Sequence, residues 1–144
     1  MTMKKYFTIL LILVSIVSFS QQQKNDWKLY KEINGVKINY KYQECHDVHN
    51  GLHQELVLFQ FVNTTKNNLS IEFDFRTVYS KNKKTITNTS EQHKEIILKK
   101  LVVVESSCNE NREYAIFSKF LNYTDKSELR DFDLVNIKIN PTKL

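Results

Sequence analysis

Hydrophobic and polar residues alternate with a period of two along much of this chain. Val36, Ile38, Tyr40 and Tyr42 interleave with Lys37, Asn39, Lys41 and Gln43, and Leu69, Ile71, Phe73 and Phe75 interleave with Ser70, Glu72, Asp74 and Arg76. Extended backbone sends successive side chains to opposite faces, so each run predicts a strand with one side on a core and the other in water. Both runs are rich in β-branched or aromatic residues, which suit a pleated surface. Residues 56–62, Leu-Val-Leu-Phe-Gln-Phe-Val, are apolar on both parities and predict a central strand covered on both faces. Residues 114–121 form a second well-buried candidate.

Two segments carry mixed patterns. Phe132 and Leu134 share one parity while Val135, Ile137 and Ile139 share the other, which implies a bulge near Leu134 or two short strands. In 95–105, Ile97, Leu101 and Val104 have helical spacing, but the Val102-Val103-Val104 run favours a strand, and strand is the expectation. Both glycines follow asparagine, at Asn34-Gly35 and Asn50-Gly51. Asn-Gly is the strongest short signal for a two-residue hairpin, because both central positions of that turn need positive φ. Polar clusters at 63–68, 80–84 and 122–126 supply further turns. About seven strands separated in this way predict an all-β, antiparallel β-sandwich.

The N-terminus does not belong to this pattern. Lys4 and Lys5 precede an apolar run of roughly a dozen residues, followed by small residues at Ser18 and Ser20 and then a polar stretch. That is the layout of a cleavable signal peptide over 1–20, and the run is shorter than the roughly 18–20 residues of a spanning helix. After cleavage no stable membrane span is expected, and the product is expected in the periplasm or outside the cell. One domain, 27–140, fits the remaining length. Among 21 Lys and Arg against 16 Asp and Glu, Lys4 and Lys5 leave with the leader, so the formal charge of +5 falls to about +3. Nothing strongly electrostatic follows, and nucleic acid is not an expected partner for an exported chain.

The chain has two cysteines, Cys45 and Cys108. In an oxidising compartment, and at a spacing far from C-x-x-C, they are expected to form a disulfide. A closed loop of that length stabilises the fold by about 4 kcal/mol in the chain-entropy account.

From Trp27 onward, N-G-V-K-I-N-Y-K, Cys45, V-L-F-Q-F-V-N-T-T, I-E-F-D-F, Cys108, F-S-K-F-L-N and L-R-D-F-D-L together make the mature chain resemble a group of small secreted proteins of unknown function from Gram-negative bacteria. The resemblance implies an immunoglobulin-like sandwich and brings no catalytic residues with it. Cys45 and Cys108 depart from the core-strand cysteine pair of antibody domains, so the bridge is expected to tie loops or strand ends.

Chemistry-bearing residues concentrate between Cys45 and His53, where His46, His49 and His53 offer three imidazoles to zinc or copper. A two-residue turn at Asn50-Gly51 would pair His49 with Leu52 and Val48 with His53. His49 and His53 would then lie on opposite faces, with His46 only diagonal to His53. A wider loop would favour a metal site; otherwise the segment is a solvated loop. With only Gly35 and Gly51, neither a nucleophile elbow nor a phosphate-binding loop can be built. Cys108 with His93 or His46 as base is the remaining nucleophile arrangement, and it competes with the disulfide. The same-face carboxylates Glu72/Asp74 and Asp131/Asp133 would serve a glycosidase or a calcium site, but they also fit the wet side of a strand. Trp27, Tyr30 and Tyr123 are candidate partner-stacking aromatics, with Trp27 favoured for core packing. The resulting expectation is a binding module for an envelope protein or glycan, with no cofactor, a metal-binding protein as the alternative and a small hydrolase third.

Overall fold

The computed structural model describes residues 26–81, 84–89, 93–123 and 127–143. The expected signal peptide, 1–20, lies outside them. The described chain is all-β, with nine strands. They are β1 Lys28–Ile33, β2 Val36–Asp47, β3 Leu52–Asn63, β4 Leu69–Lys81, β5 Lys84–Thr89, β6 Lys94–Leu98, β7 Val103–Glu105, β8 Ile116–Phe120 and β9 Glu128–Pro141, with one 3-10 turn at Arg112–Tyr114. Every pairing is antiparallel.

The strands fall into two halves. In the first, β1, β2 and β3 are consecutive neighbours, and β7 and β8 share the far edge of β3. In the second, β4 is central, with β9 on one side and β5 and β6 dividing the other. A single pair, Lys119↔Glu128, joins the halves in the hydrogen-bonded ladder. Their inner faces instead pack on each other in a sandwich-like arrangement. Phe59 meets Phe75 at 5.3 Å between ring centroids, Phe61 meets Phe73 at 5.3 Å, and Phe132 of β9 stands edge-on to Phe59 at 5.5 Å. Phe59, Phe61 and Phe73 are completely buried, and truncating such a ring costs on the order of 3–5 kcal/mol. At the rim, the Tyr30 hydroxyl of β1 donates to Asp133 and accepts from the Leu134 N–H at 3.0 Å. Burial and that carboxylate push its pKa up to about 12.

Strand β3 is covered on both sides, as its doubly apolar pattern requires. Val57, Phe59 and Phe61 face the main core, while Leu56 and Leu58 join a second cluster with Cys45, Cys108, Trp27, Ala115 and Phe117. Trp27 thus packs on the back of the sheet, with Lys41 Nζ 4.6 Å over its ring. Tyr30, a candidate for partner stacking, is part-buried in the rim lock instead, because its ring stacks on Phe132.

The first Asn-Gly forms the expected two-residue turn. Ile33 pairs with Val36, and Asn34 and Gly35 have φ of 46° and 79°. A Cβ at Gly35 would collide with Thr65 Cγ2, so glycine suits that position in space as well as in conformation. The second turn departs from expectation. Asp47 pairs with Leu52, leaving the four residues 48–51 in the loop. The Asp47 carboxylate accepts from the Asn50 backbone N–H at 3.2 Å and from Asn50 Nδ2 at 2.7 Å, which closes a wider turn than the dipeptide alone would set.

Three other patterns resolve differently from, or more finely than, the sequence reading. The expected seven or so strands are nine: 94–105 splits into β6 and β7 around a turn, with Leu101 at φ 56°, rather than forming a helix, and β5 is a further strand that the pattern did not single out. The phase change in β9 sits two residues beyond Leu134: the register slips between Glu72↔Lys138 and Asp74↔Val135, and Asn136 takes φ 56°. A second slip lies opposite Val78/Tyr79. These bulges let Leu129, Leu134, Ile137 and Ile139 all turn toward the core from one strand.

Asn63, at the end of β3, is buried at 1% exposure and binds three segments at once. Its Nδ2 donates to the carbonyls of Asn67, Leu98 and Lys99 at 2.8, 3.1 and 3.1 Å, and its Oδ1 accepts from the Thr65 N–H and hydroxyl. Replacing it by an apolar side chain strands several buried polar groups. Asn63→Leu is expected to lower unfolding free energy by about 3 kcal/mol in denaturant titration. A change below about 0.5 kcal/mol, the range of ordinary surface substitutions, would mean these bonds are dispensable.

Candidate functional site

The β2–β3 register is unbroken from Val36↔Asn63 to Asp47↔Leu52, so strict alternation sorts the whole hairpin into two faces. The core face descends through Ile38/Phe61, Tyr40/Phe59, Tyr42/Val57 and Glu44/Glu55 to His46/His53. Tyr42, Glu44 and His46 are exposed, so this face is dry at its base and wet at its tip. The opposite face carries Lys41/Leu58, Gln43/Leu56, Cys45/Gln54 and Asp47/Leu52. Cys45 is out of phase with the core residues of β2 because it serves this second face.

That second face is covered by residues 106–115. Strand β7 leaves β3 after Glu105, and Ser106 then takes over the backbone of Phe59. Its Oγ accepts from the Phe59 N–H at 2.8 Å, and its own N–H donates to the Phe59 carbonyl at 2.9 Å. The chain next swings outward and delivers Cys108 to Cys45, forming a disulfide with Cα atoms 5.5 Å apart. The thiol needed for a nucleophile at Cys108 is thereby consumed. The bridge ties a loop to a strand near its end, in the same cluster as Trp27.

Beside the bridge lies a groove of about 430 Å³ lined by Cys45, His46, Asp47, Val48, His49, Gln54, Cys108, Asn109 and Arg112. Asp47, held by Asn50, keeps its pKa below the usual carboxylate range and remains an anion on the wall.

The three candidate histidines do not converge. Register places His46 directly opposite His53, correcting the diagonal relation expected from a shorter turn, and their Nδ1 atoms are 2.7 Å apart. His49 lies in the turn and lines the groove. Among the described residues no group of three or more His, Cys, Asp and Glu side chains is placed to hold a metal ion.

The carboxylate pairs on the second half have structural partners. His93, just before β6, places Nδ1 3.0 Å from Asp74 and Nε2 3.2 Å from Glu72, while Asn136 Nδ2 donates to Asp74 at 2.8 Å. Asp133 binds Tyr30 and, at 3.3 Å, Arg76. The spacing of Glu72 and Asp74 located two members of the first cluster, but His93 and Asn136 are distant in sequence and only the fold brings them in. Tyr123 is exposed and edge-on to Phe120 at 5.3 Å. Comparison of the chain with protein-family models, curated proteins and solved structures finds no match.

Two outcomes follow. Replacing both Cys45 and Cys108 by alanine should reduce stability by up to about 4 kcal/mol, read as a fall in denaturation midpoint; an unchanged midpoint would show that the loop is held without the bridge. At the His93 cluster, Asp74 first and Glu72 second raise the imidazole pKa above its ordinary value, while Asn136 and then His93 lower that of Asp74. The histidine contribution is therefore complete below the ordinary histidine pKa and disappears as pH rises through the raised one. The aspartate contribution holds above the ordinary aspartate pKa and disappears as pH falls through the lowered one. NMR titration of His93 should give a midpoint above the ordinary histidine value, returning toward it in Asp74→Asn. A midpoint at or below the ordinary value contradicts the assignment.

Proposed function

We propose that this protein is an exported, non-catalytic binding module of the cell envelope that grips a protein or glycan at the disulfide-stapled tip of its sandwich. The observation that carries this reading is the groove between the β2–β3 tip and the Cys108 loop. Its volume is that of a small-ligand or side-chain pocket. Its lining combines an anion at Asp47, a cation at Arg112, amides at Gln54 and Asn109 and the imidazole of His49, all beside the exposed Val48. Such a mixture suits hydroxyls and amides, the groups that glycans and peptide backbones present. The bridge fixes one wall against the other, which reduces the ordering cost of binding.

Export is supported by the leader pattern of 1–20 and by the disulfide. The immunoglobulin-like assignment is part of the same proposal. Two antiparallel layers around an aromatic core support it, and the chain departs from that pattern in running β1, β2 and β3 as neighbours in one half.

The test is capture from envelope extracts and from arrayed envelope glycans, using the native protein beside an Asn109→Ala/Arg112→Ala variant. Retention of a defined partner by the native protein, lost in the variant, is expected. Capture indifferent to the substitutions, or turnover in a panel of hydrolase substrates, would replace this reading.

A further inference from the structure

We propose that His46 and His53 form a two-imidazole clamp for a divalent transition-metal ion of the copper(II) kind, on the face of the β2–β3 hairpin opposite the Cys45 side chain and at the edge of the groove that His46 also lines. The two residues are direct register partners on adjacent strands, so their side chains leave the sheet together on the same side. Their Nδ1 atoms face each other at 2.7 Å, with ring centroids 5.0 Å apart.

That separation matches a chelate. With metal–nitrogen bonds of about 2.0 Å, two donors at a right angle stand about 2.8 Å apart, and at the tetrahedral angle about 3.3 Å. The observed 2.7 Å, which is also a hydrogen-bond length between the two free rings, lies near the right-angle value preferred by tetragonal copper(II) and nickel(II), and copper(II) binds nitrogen donors most strongly among the divalent first-row ions.

Charge around the pair favours the required tautomer. Glu44 lies two residues before His46 on the same face, with Oε2 3.7 Å from His46 Nε2. A carboxylate on that side favours the tautomer with the ring proton on Nε2, which leaves the Nδ1 lone pair toward His53, the side on which an outer carboxylate stands to a metal-binding histidine. Without metal, one Nδ1–H of the pair donates to the other Nδ1, in the direction the tautomers set. Between two neutral rings, binding requires that proton to pass through solvent to Nε2 of its own ring, so that both Nδ1 lone pairs reach the ion with no net proton released. The opposite carboxylate, Glu55, is engaged by Ser118 at 2.8 Å and by Lys119 at 3.7 Å.

The clamp is also preorganised. The strand ladder runs to Asp47↔Leu52 immediately beyond it, Asn50 closes the turn on Asp47, and the disulfide anchors Cys45 next to His46. Two positions on the ion come from the protein, and the others go to water or to a donor on a bound partner.

The test is titration of the protein, prepared without a histidine tag, with copper(II) chloride, followed by electron paramagnetic resonance and by thermal unfolding. The expected result is one copper(II) per chain with a tetragonal spectrum showing two imidazole nitrogens, and a rise in melting temperature. His46→Gln and His53→Gln should each abolish that spectrum, Glu44→Gln should weaken binding about tenfold, and His49→Gln should leave it unchanged. Copper binding that survives His53→Gln, binding that His49→Gln removes, or a spectrum lacking paired imidazoles would each overturn the proposal. All four positions are exposed or only half-buried, and a melting curve of each variant in the absence of metal separates loss of the clamp from loss of the fold.

Discussion

Burial of β3 on both of its faces is the constraint from which the remaining structure follows. A strand with Val57, Phe59 and Phe61 on one side and Leu56 and Leu58 on the other cannot rest on a single layer. One side is met by β4 and β9, whose Phe73, Phe75 and Phe132 interdigitate with its rings. Among the described residues the other is closed by an irregular segment, 106–115, with Trp27 beside it. Irregular backbone over an apolar surface needs partners for its own polar groups, and Ser106 and the disulfide fix its path. The groove exists because this cover is a loop that stands away from the strand tip.

Alternation made the fold class legible, since it reports directly on which side chains share a face. The doubly apolar run at 56–62 identified the central strand for the same reason. The local dipeptide signal was less complete. Asn34-Gly35 set its turn alone, whereas at Asn50-Gly51 the Asp47 carboxylate captured Asn50 and enlarged the loop. The resulting change in register keeps every side chain on its expected face but converts a diagonal relation between His46 and His53 into a direct one. A pattern of period two cannot distinguish these registers. The facing imidazoles therefore needed the structure, even though both residues were visible as candidates.

Other features depended on contacts far apart in sequence. Asn63 reads as the first residue of a polar turn, yet it is buried and holds the 98–99 carbonyls, some 35 positions away, because β6 and β7 return past the end of β3. His93 gave no motif of its own, and its two carboxylates were visible only as the wet side of β4. Two bulges in β9 were legible as a single phase change, since one register slip offsets the parity signature of the other.

The arrangement separates what holds the molecule together from what it exposes at its tip. The aromatic core, the Tyr30–Asp133 lock and Asn63 all lie along the body of the sandwich. The tip is joined to them through the continuous β2–β3 ladder and through β8 and the turn after it, where the Leu121 N–H donates to the His53 carbonyl and Asn122 Nδ2 to that of Gly51, and Cys45–Cys108 and the Asp47–Asn50 turn add rigidity. Side chains at the tip can therefore change with little effect on the core, because exposed groups there make few of the dispersion contacts that stabilise it. A sandwich-like fold built this way tolerates varied chemistry at one end, and the groove and the histidine face, which meet at His46, are available without disturbing the strands that position them.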